Sequence, residues 1–237
     1  MMYRQLSRCK PSSQFFTKVH RLSSTVALNG NPQYMEVATR LWVERFVMGH
    51  GMCPWAASTL TGNRLRICTI PGGVGTEEGM LEVCDNILEE ARKLVEEDCS
   101  DDRQTSTTLI ILPDFKCFDA FLELADVIEG VFDAENVDEF LQVATFHPDY
   151  KFADSDTEDL DIENFTNRSP FPVIHLLKVK EVSDAIESYN NGDTSTIWKK
   201  NKLTLKALGM EKVKAISAKI LVDAALEVEK NNSGLKF

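Results

Sequence analysis

Three short stretches of this 237-residue chain hold side chains whose types and spacing could do chemistry. The first is Gly51-Met52-Cys53-Pro54-Trp55-Ala56, where Pro54 restricts the backbone of Cys53. A cysteine is a nucleophile only as its thiolate, which requires exposure and a nearby base or positive charge. The competing state is a buried structural thiol, the usual condition of a free cysteine. The second stretch is Phe146-His147-Pro148-Asp149-Tyr150. On an extended chain, residues two apart point to one face, so His147 and Asp149 would pair as base and orienter or both ligate a metal. The alternative is a turn stiffened by Pro148, with Asp149 capping backbone N–H groups. The third stretch is Asn167-Arg168-Ser169-Pro170-Phe171-Pro172, which leads into Val173-Ile174-His175-Leu176-Leu177. Arg168 suits a bidentate clamp on a carboxylate or phosphate. Its alternative is an ion pair with the acidic residues before it. His175 lies between Ile174 and Leu176, which favours a satisfied core histidine over a ligand.

The remaining cysteines are weaker candidates. There is no Cys-x-x-Cys pair, which excludes a zinc ribbon or a thioredoxin motif. Cys84 falls on an apolar helix stripe, Cys68 in a strand and Cys99 at a helix end. Cys117 sits in a first helical turn, where the dipole favours thiolate but Asp114 and Asp119 oppose it. Six cysteines without a pattern suit a reducing compartment. Pro71-Gly72-Gly73-Val74-Gly75 follows a strand and precedes a helix, the order of a dinucleotide fingerprint. No Gly-x-Gly-x-x-Gly can be written there, and Glu77 and Glu78 occupy the helix start where a pyrophosphate would sit. The loop reads as a plain connector.

The elements that must position these residues follow from periodicity. Helices are predicted over 34–48, 77–97 and 116–132, with Thr76 as the N-cap of the second. Strands are predicted over 64–70, 107–112, 140–146 and 173–177. Residues 107–112 read TTLIIL, a run buried on both faces. Residues 148–170 form a long acidic loop with Asp154, Asp156, Glu158, Asp159, Asp161 and Glu163, a length that is often functional. Three helices close the chain, over about 179–189, 194–208 and 211–230. The expected fold is a single α/β or α+β domain with a small, roughly four-stranded mixed sheet packed by helices and a helical C-terminus. Helices between the first three strands imply parallel crossovers. The last pair is open to either direction.

The formal net charge of −11 is unevenly spread. Residues 1–33 carry Arg4, Arg8, Lys10, Lys18 and Arg21, several serines and no acid. That is the composition of a transit peptide, mitochondrial with a plastid as the alternative, and otherwise of a disordered basic tail. Residues 34–237 then form the globular domain. Without those five basic residues the body holds 21 basic and 37 acidic residues, a net charge of −16. Such a surface repels phosphate backbones and anionic lipid, so neither nucleic acid nor a membrane is an expected partner.

Taken together, the stretches resemble the family catalogued as domain of unknown function 1415. That family has Trp-x-Glu-Arg, Cys-Pro-Phe-Ala, Phe-His-Pro-Asp-Tyr, Asn-Arg-Ser-Pro-x-Pro and His-Leu-Leu in order. This chain has Trp42-Val43-Glu44-Arg45, Cys53-Pro54-Trp55-Ala56, Phe146 to Tyr150, Asn167 to Pro172 and His175-Leu176-Leu177. It departs at Trp55, and at Gly49-His50-Gly51-Met52, where the family has an Asn-containing turn; His50 is outside the pattern. The resemblance covers about residues 35–210 and implies a shared fold and a shared site, with no established activity to carry over.

Three functions remain open. The first is a small-molecule enzyme performing hydrolysis or acyl transfer. Cys53 would be its nucleophile, His147 its base and Asp149 the orienter. Tyr150, Asn167, Arg168 and His175 would bind the substrate, with Arg168 holding a small anionic molecule. The second is a zinc or iron site made of Cys53, His147, Asp149 and His175. The third is a non-catalytic binding or assembly protein, in which the motif residues pack on one another and the acidic loop is the contact surface.

Overall fold

A computed structural model of the chain describes residues 30–96, 105–153, 162–189 and 193–233. The proposed presequence lies almost wholly outside these residues, as do Cys99 and most of the acid in the 148–170 loop. Seven α-helices and four strands make up the described chain. They are α1 (Pro32–Trp42), α2 (Ala56–Thr61), β1 (Leu65–Thr69), α3 (Glu77–Glu96), β2 (Thr107–Ile111), α4 (Phe118–Ala134), β3 (Leu141–Phe146), β4 (Val173–Lys178), α5 (Val179–Ser188), α6 (Ser195–Leu208) and α7 (Met210–Asn232). Helix α1 runs on as a π-helical turn, Val43–Met48, and Glu163–Thr166 form a 3₁₀ turn.

Local chemistry sets the helix starts. Asn31 Oδ1 accepts the Gln33 N–H at 3.0 Å with Pro32 in the first turn of α1. Thr76 Oγ1 accepts the Gly79 N–H at 3.1 Å, the expected cap of α3. Asp193 Oδ1 accepts the Ser195 N–H at 3.0 Å at the head of α6.

The sheet order is β1-β2-β4-β3. β1 and β2 are parallel neighbours, as a helical crossover between them requires. β4 is antiparallel to both β2 and β3 and lies between them. β3 is therefore parallel to β2 but not its neighbour, a placement no local pattern announces. The architecture is a single α+β domain. One consequence matters for the site: the carboxyl ends of β1, β2 and β3 and the amino end of β4 share one edge of the sheet. The loops after residues 69, 111 and 146 and the loop before residue 173 meet there.

Both sheet faces are covered. On one side α1 and α7 pack Tyr34, Met35, Ala38, Trp42, Val213, Ile220, Ala224 and Val228 against Leu109, Ile111 and Val173. On the other, α3 and α4 pack Val83, Cys84, Ile87, Leu94, Phe121, Leu124 and Ile128 against Ile110, Leu112, Ile174 and Leu176. All five residues of β2 are buried, the outcome expected of a continuous apolar strand. No described helix is long and apolar enough to cross a membrane.

Candidate functional site

The second and third motif stretches converge at that shared edge. Residues 147–150 form a tight turn closed by the Tyr150 N–H on the His147 carbonyl at 3.1 Å. The His147 N–H donates to the Asn167 carbonyl at 3.1 Å, and Asn167 Nδ2 returns a bond to the Thr145 carbonyl at 3.3 Å. Arg168 Nε donates to the Tyr150 carbonyl at 3.1 Å, and its guanidinium lies 4.7 Å from the Phe165 ring centre. The Phe152 N–H donates to Asn164 Oδ1 at 3.0 Å, and the Leu112 N–H to the Pro172 carbonyl at 2.9 Å. These bonds clamp the two loops to each other and to the end of β2.

His147 is the centre of the clamp. It is 1% exposed. Its Nε2 lies 3.1 Å from the Phe115 carbonyl, and its Nδ1 accepts the Asp149 N–H at 3.0 Å. An N–H donor on Nδ1 and a carbonyl on Nε2 are satisfied together by one neutral tautomer, with the proton on Nε2. Phe118 and Phe121 of α4 each stand 5.2 Å from the ring. Burial pushes the imidazole below its usual range, against the Phe115 bond and the Asp149 charge. Asp149 meets the ring through its backbone; its residue is exposed. The extended arrangement that would set His147 and Asp149 side by side is replaced by a turn, because Pro148 and the 147–150 bond reverse the chain there. Tyr150 packs 5.2 Å from Phe118 and bonds the Thr145 side chain, while burial raises its phenol.

Neighbouring loops complete this edge. The Gly72 N–H donates to Asp114 Oδ2 at 2.7 Å. Gly73 is required by contact: a Cβ there would stand 2.7 Å from Val83 Cγ2 and 3.1 Å from the Phe115 ring, at φ +89°. The glycine loop thus packs against the β2 end.

Cys53 and His175 lie elsewhere. Side chains alternate along a strand, and Ile174 and Leu176 pack on the α3/α4 side, so His175 faces the α1/α7 side. Its ring stands 6.1 Å from Phe146, and Phe146 stands 5.2 Å from Trp42. Cys53 follows Met52, which is buried in the α1/α7 cluster. The α6 side chains hold this loop: Asn201 Nδ2 donates to the Met52 carbonyl at 2.8 Å, and Lys200 Nζ lies 3.1 Å from where a Gly51 Cβ would stand. Cys53 is partly exposed. Burial holds its thiol above the ordinary range, and hydrogen bonds from the Trp55 and Ala56 backbone offset that only in part. Neither nitrogen of His147 is bonded to it; both are spent on backbone groups.

His175 differs from His147 in one respect that bears on chemistry. Its Nε2 is 2.5 Å from Thr107 Oγ1, and no described hydrogen bond involves its Nδ1. Burial pushes its pKa to about 4, so the ring is neutral at pH 7.

Among the described residues, no three or more His, Cys, Asp or Glu side chains gather where they could hold a metal ion. The zinc or iron arrangement is corrected accordingly: His147 and His175 occupy opposite sides of the sheet, so Cys53, His147, Asp149 and His175 do not form one ligand set. Cys84 is buried as its stripe implies, and the Cys68 thiol is pushed up to about 12 by burial and the Glu90 carboxylate. Two residues that the sequence did not single out, Asn164 and Thr107, and one that it placed only in the acidic loop, Glu163, matter here. Asn164, fully buried, holds the Phe152 N–H. Glu163 pairs with Lys202 and with Lys206 at 3.2 Å, tying the 3₁₀ turn to α6. Thr107 holds His175. The spacing of Lys202 and Lys206 on one helix face was a readable signal for Glu163; a buried asparagine leaves none.

Fold and site define an α+β protein with a clamped loop edge and a histidine set into one face of its sheet. The model of the family described as protein of unknown function (DUF1415) matches residues 34–215, and the chain belongs to that family. Neither curated proteins nor solved structures gave a match.

Proposed function

We propose that this protein binds a small molecule on the α1/α7 side of the sheet, with His175 as a polar contact, and performs hydrolysis or acyl transfer on it through Cys53. The observation that carries the proposal is the contrast in ring nitrogens: His147 has none left for a ligand, whereas Nδ1 of His175 has no described partner. Cys53 belongs to the loop on that same side, and the backbone donors at Trp55 and Ala56 are the groups that favour its thiolate. Arg168, stacked on Phe165, supplies positive charge for an anionic substrate group. His147, Asp149 and Asn167 then act as architecture, and Tyr150 as part of the aromatic packing around His147. Residues 1–33 direct the chain to mitochondria, which a fusion of that segment to a fluorescent protein tests.

p-Nitrophenyl acetate is a suitable probe of the chemistry. The Cys53 thiolate would attack its acetyl carbonyl, forming a thioester and releasing p-nitrophenolate. Peptide mass spectrometry should find the acetyl group on Cys53 at least about tenfold faster than on Cys84, and slower in His175→Gln. Equal labelling of Cys53 and Cys84 would sink the enzymatic part. A second reading is favoured by the clamp itself, since motif residues that bond one another suit a non-catalytic assembly protein; it predicts that equal labelling.

A further inference from the structure

Thr107 Oγ1 makes two short polar contacts. It is 2.5 Å from His175 Nε2 and 2.7 Å from the Leu176 carbonyl oxygen. A hydroxyl carries one proton, and a carbonyl can only accept. Both contacts are hydrogen bonds only when the hydroxyl donates to Leu176 and the ring nitrogen donates to the hydroxyl. If Nε2 lacked its proton, two acceptors would compete for one hydrogen, and one lone pair would face another at bonding distance. The neutral ring therefore carries its proton on Nε2, which leaves Nδ1 with a lone pair.

The hydroxyl is well placed to hold that arrangement. Thr107 is 5% exposed and sits in β2, paired with Leu65 on one side and Leu177 on the other. Its β-branched side chain has restricted χ1 freedom. It also lies two residues from Leu109, the Cα partner of His175, on the same face of the sheet.

We propose that Thr107 is a positioning residue that fixes His175 in the Nε2–H tautomer and so presents Nδ1 as an acceptor. This rests on the reading of His175 as a ligand contact. It deepens that reading by naming what the ligand must bring: an N–H or O–H donor. A carboxylate or carbonyl oxygen at Nδ1 would set lone pair against lone pair.

The test uses the full chain with 15N-labelled histidines, read by imidazole 1H–15N correlation at pH 7. His175 should show a protonated Nε2 and an unprotonated Nδ1. Thr107→Val removes the acceptor and should give a mixture of tautomers, while Thr107→Ser should restore the single form. A wild-type His175 with its proton on Nδ1 overturns the proposal, and so does an unchanged Nε2–H population in Thr107→Val. If Thr107→Val fails to fold, Thr107→Ala is read in its place, with the same two outcomes. The readout needs no substrate, so it fails or succeeds independently of acetyl transfer to Cys53.

Discussion

His147 and His175, two of the three histidines in residues 34–237, are both held neutral by burial and differ in their hydrogen-bond partners. His147 sits at the loop edge, where two backbone groups take both nitrogens and two phenylalanines of α4 enclose the ring. His175 sits in the sheet face, where one threonine takes one nitrogen. A buried polar group whose every hydrogen bond is made stabilises the fold and has nothing left for a ligand. A group with one bond made is oriented and still able to act. The difference teaches that a histidine inside a dense polar motif can be architecture, while one among leucines and isoleucines can be the chemically available member.

The largest expected effect strikes the loop edge. His147→Ala removes two hydrogen bonds and a fully buried ring, and should destabilise the protein by about 3–4 kcal/mol in urea unfolding. A loss below about 1 kcal/mol would erase the contrast, because the clamp would then not depend on the ring. The next concerns pH. His175 titrates near 6.5 when unfolded and about 4 when folded, so between those values the unfolded chain binds more protons. Stability is therefore complete above about pH 6.5 and declines as pH falls toward 4, by roughly 2–3 kcal/mol for this group. His147, shifted in the same direction, adds to the decline. His175→Gln should flatten the profile of unfolding free energy against pH, and an unaltered profile would mean that the ring is not held neutral.

Smaller effects sharpen the comparison. Asn167→Ala removes the side-chain bond to Thr145 and should cost about 1 kcal/mol in thermal unfolding. It should leave the imidazole spectrum of His175 unchanged, because the bond it removes ends on the Thr145 carbonyl and not on the ring. Asp149→Asn should alter stability by less than about 0.5 kcal/mol, since the residue is exposed and meets His147 through its N–H. A large loss there would restore the carboxylate as an orienter of the ring.

Much of the fold was legible in residue order. The apolar period of α3 and α4 marks most of their buried faces, although Leu81, Val95 and Leu122, in register with it, are exposed; TTLIIL marks a strand covered on both sides, and Thr76 marks a helix start. Each depends on neighbours within a turn or two, so the pattern carries the information. The short helix α2 was missed: Ala56–Thr61 is too brief for a stripe and buries no residue. The insertion of β4 between β2 and β3 was missed as well, because pairing across 60 or more residues leaves no local trace.

The candidate site divides along the same line. By itself the sequence determined which residues were chemically eligible, the family to which they belong and the covered sheet that carries them, since residue type, spacing and apolar period are properties of the chain. The tertiary structure decided how those residues are used. It placed His147 against the Phe115 carbonyl, 32 residues away, and His175 against Thr107, 68 residues away. A histidine's tautomer and availability are set by what meets its two nitrogens, and those partners come from strands brought together only by folding.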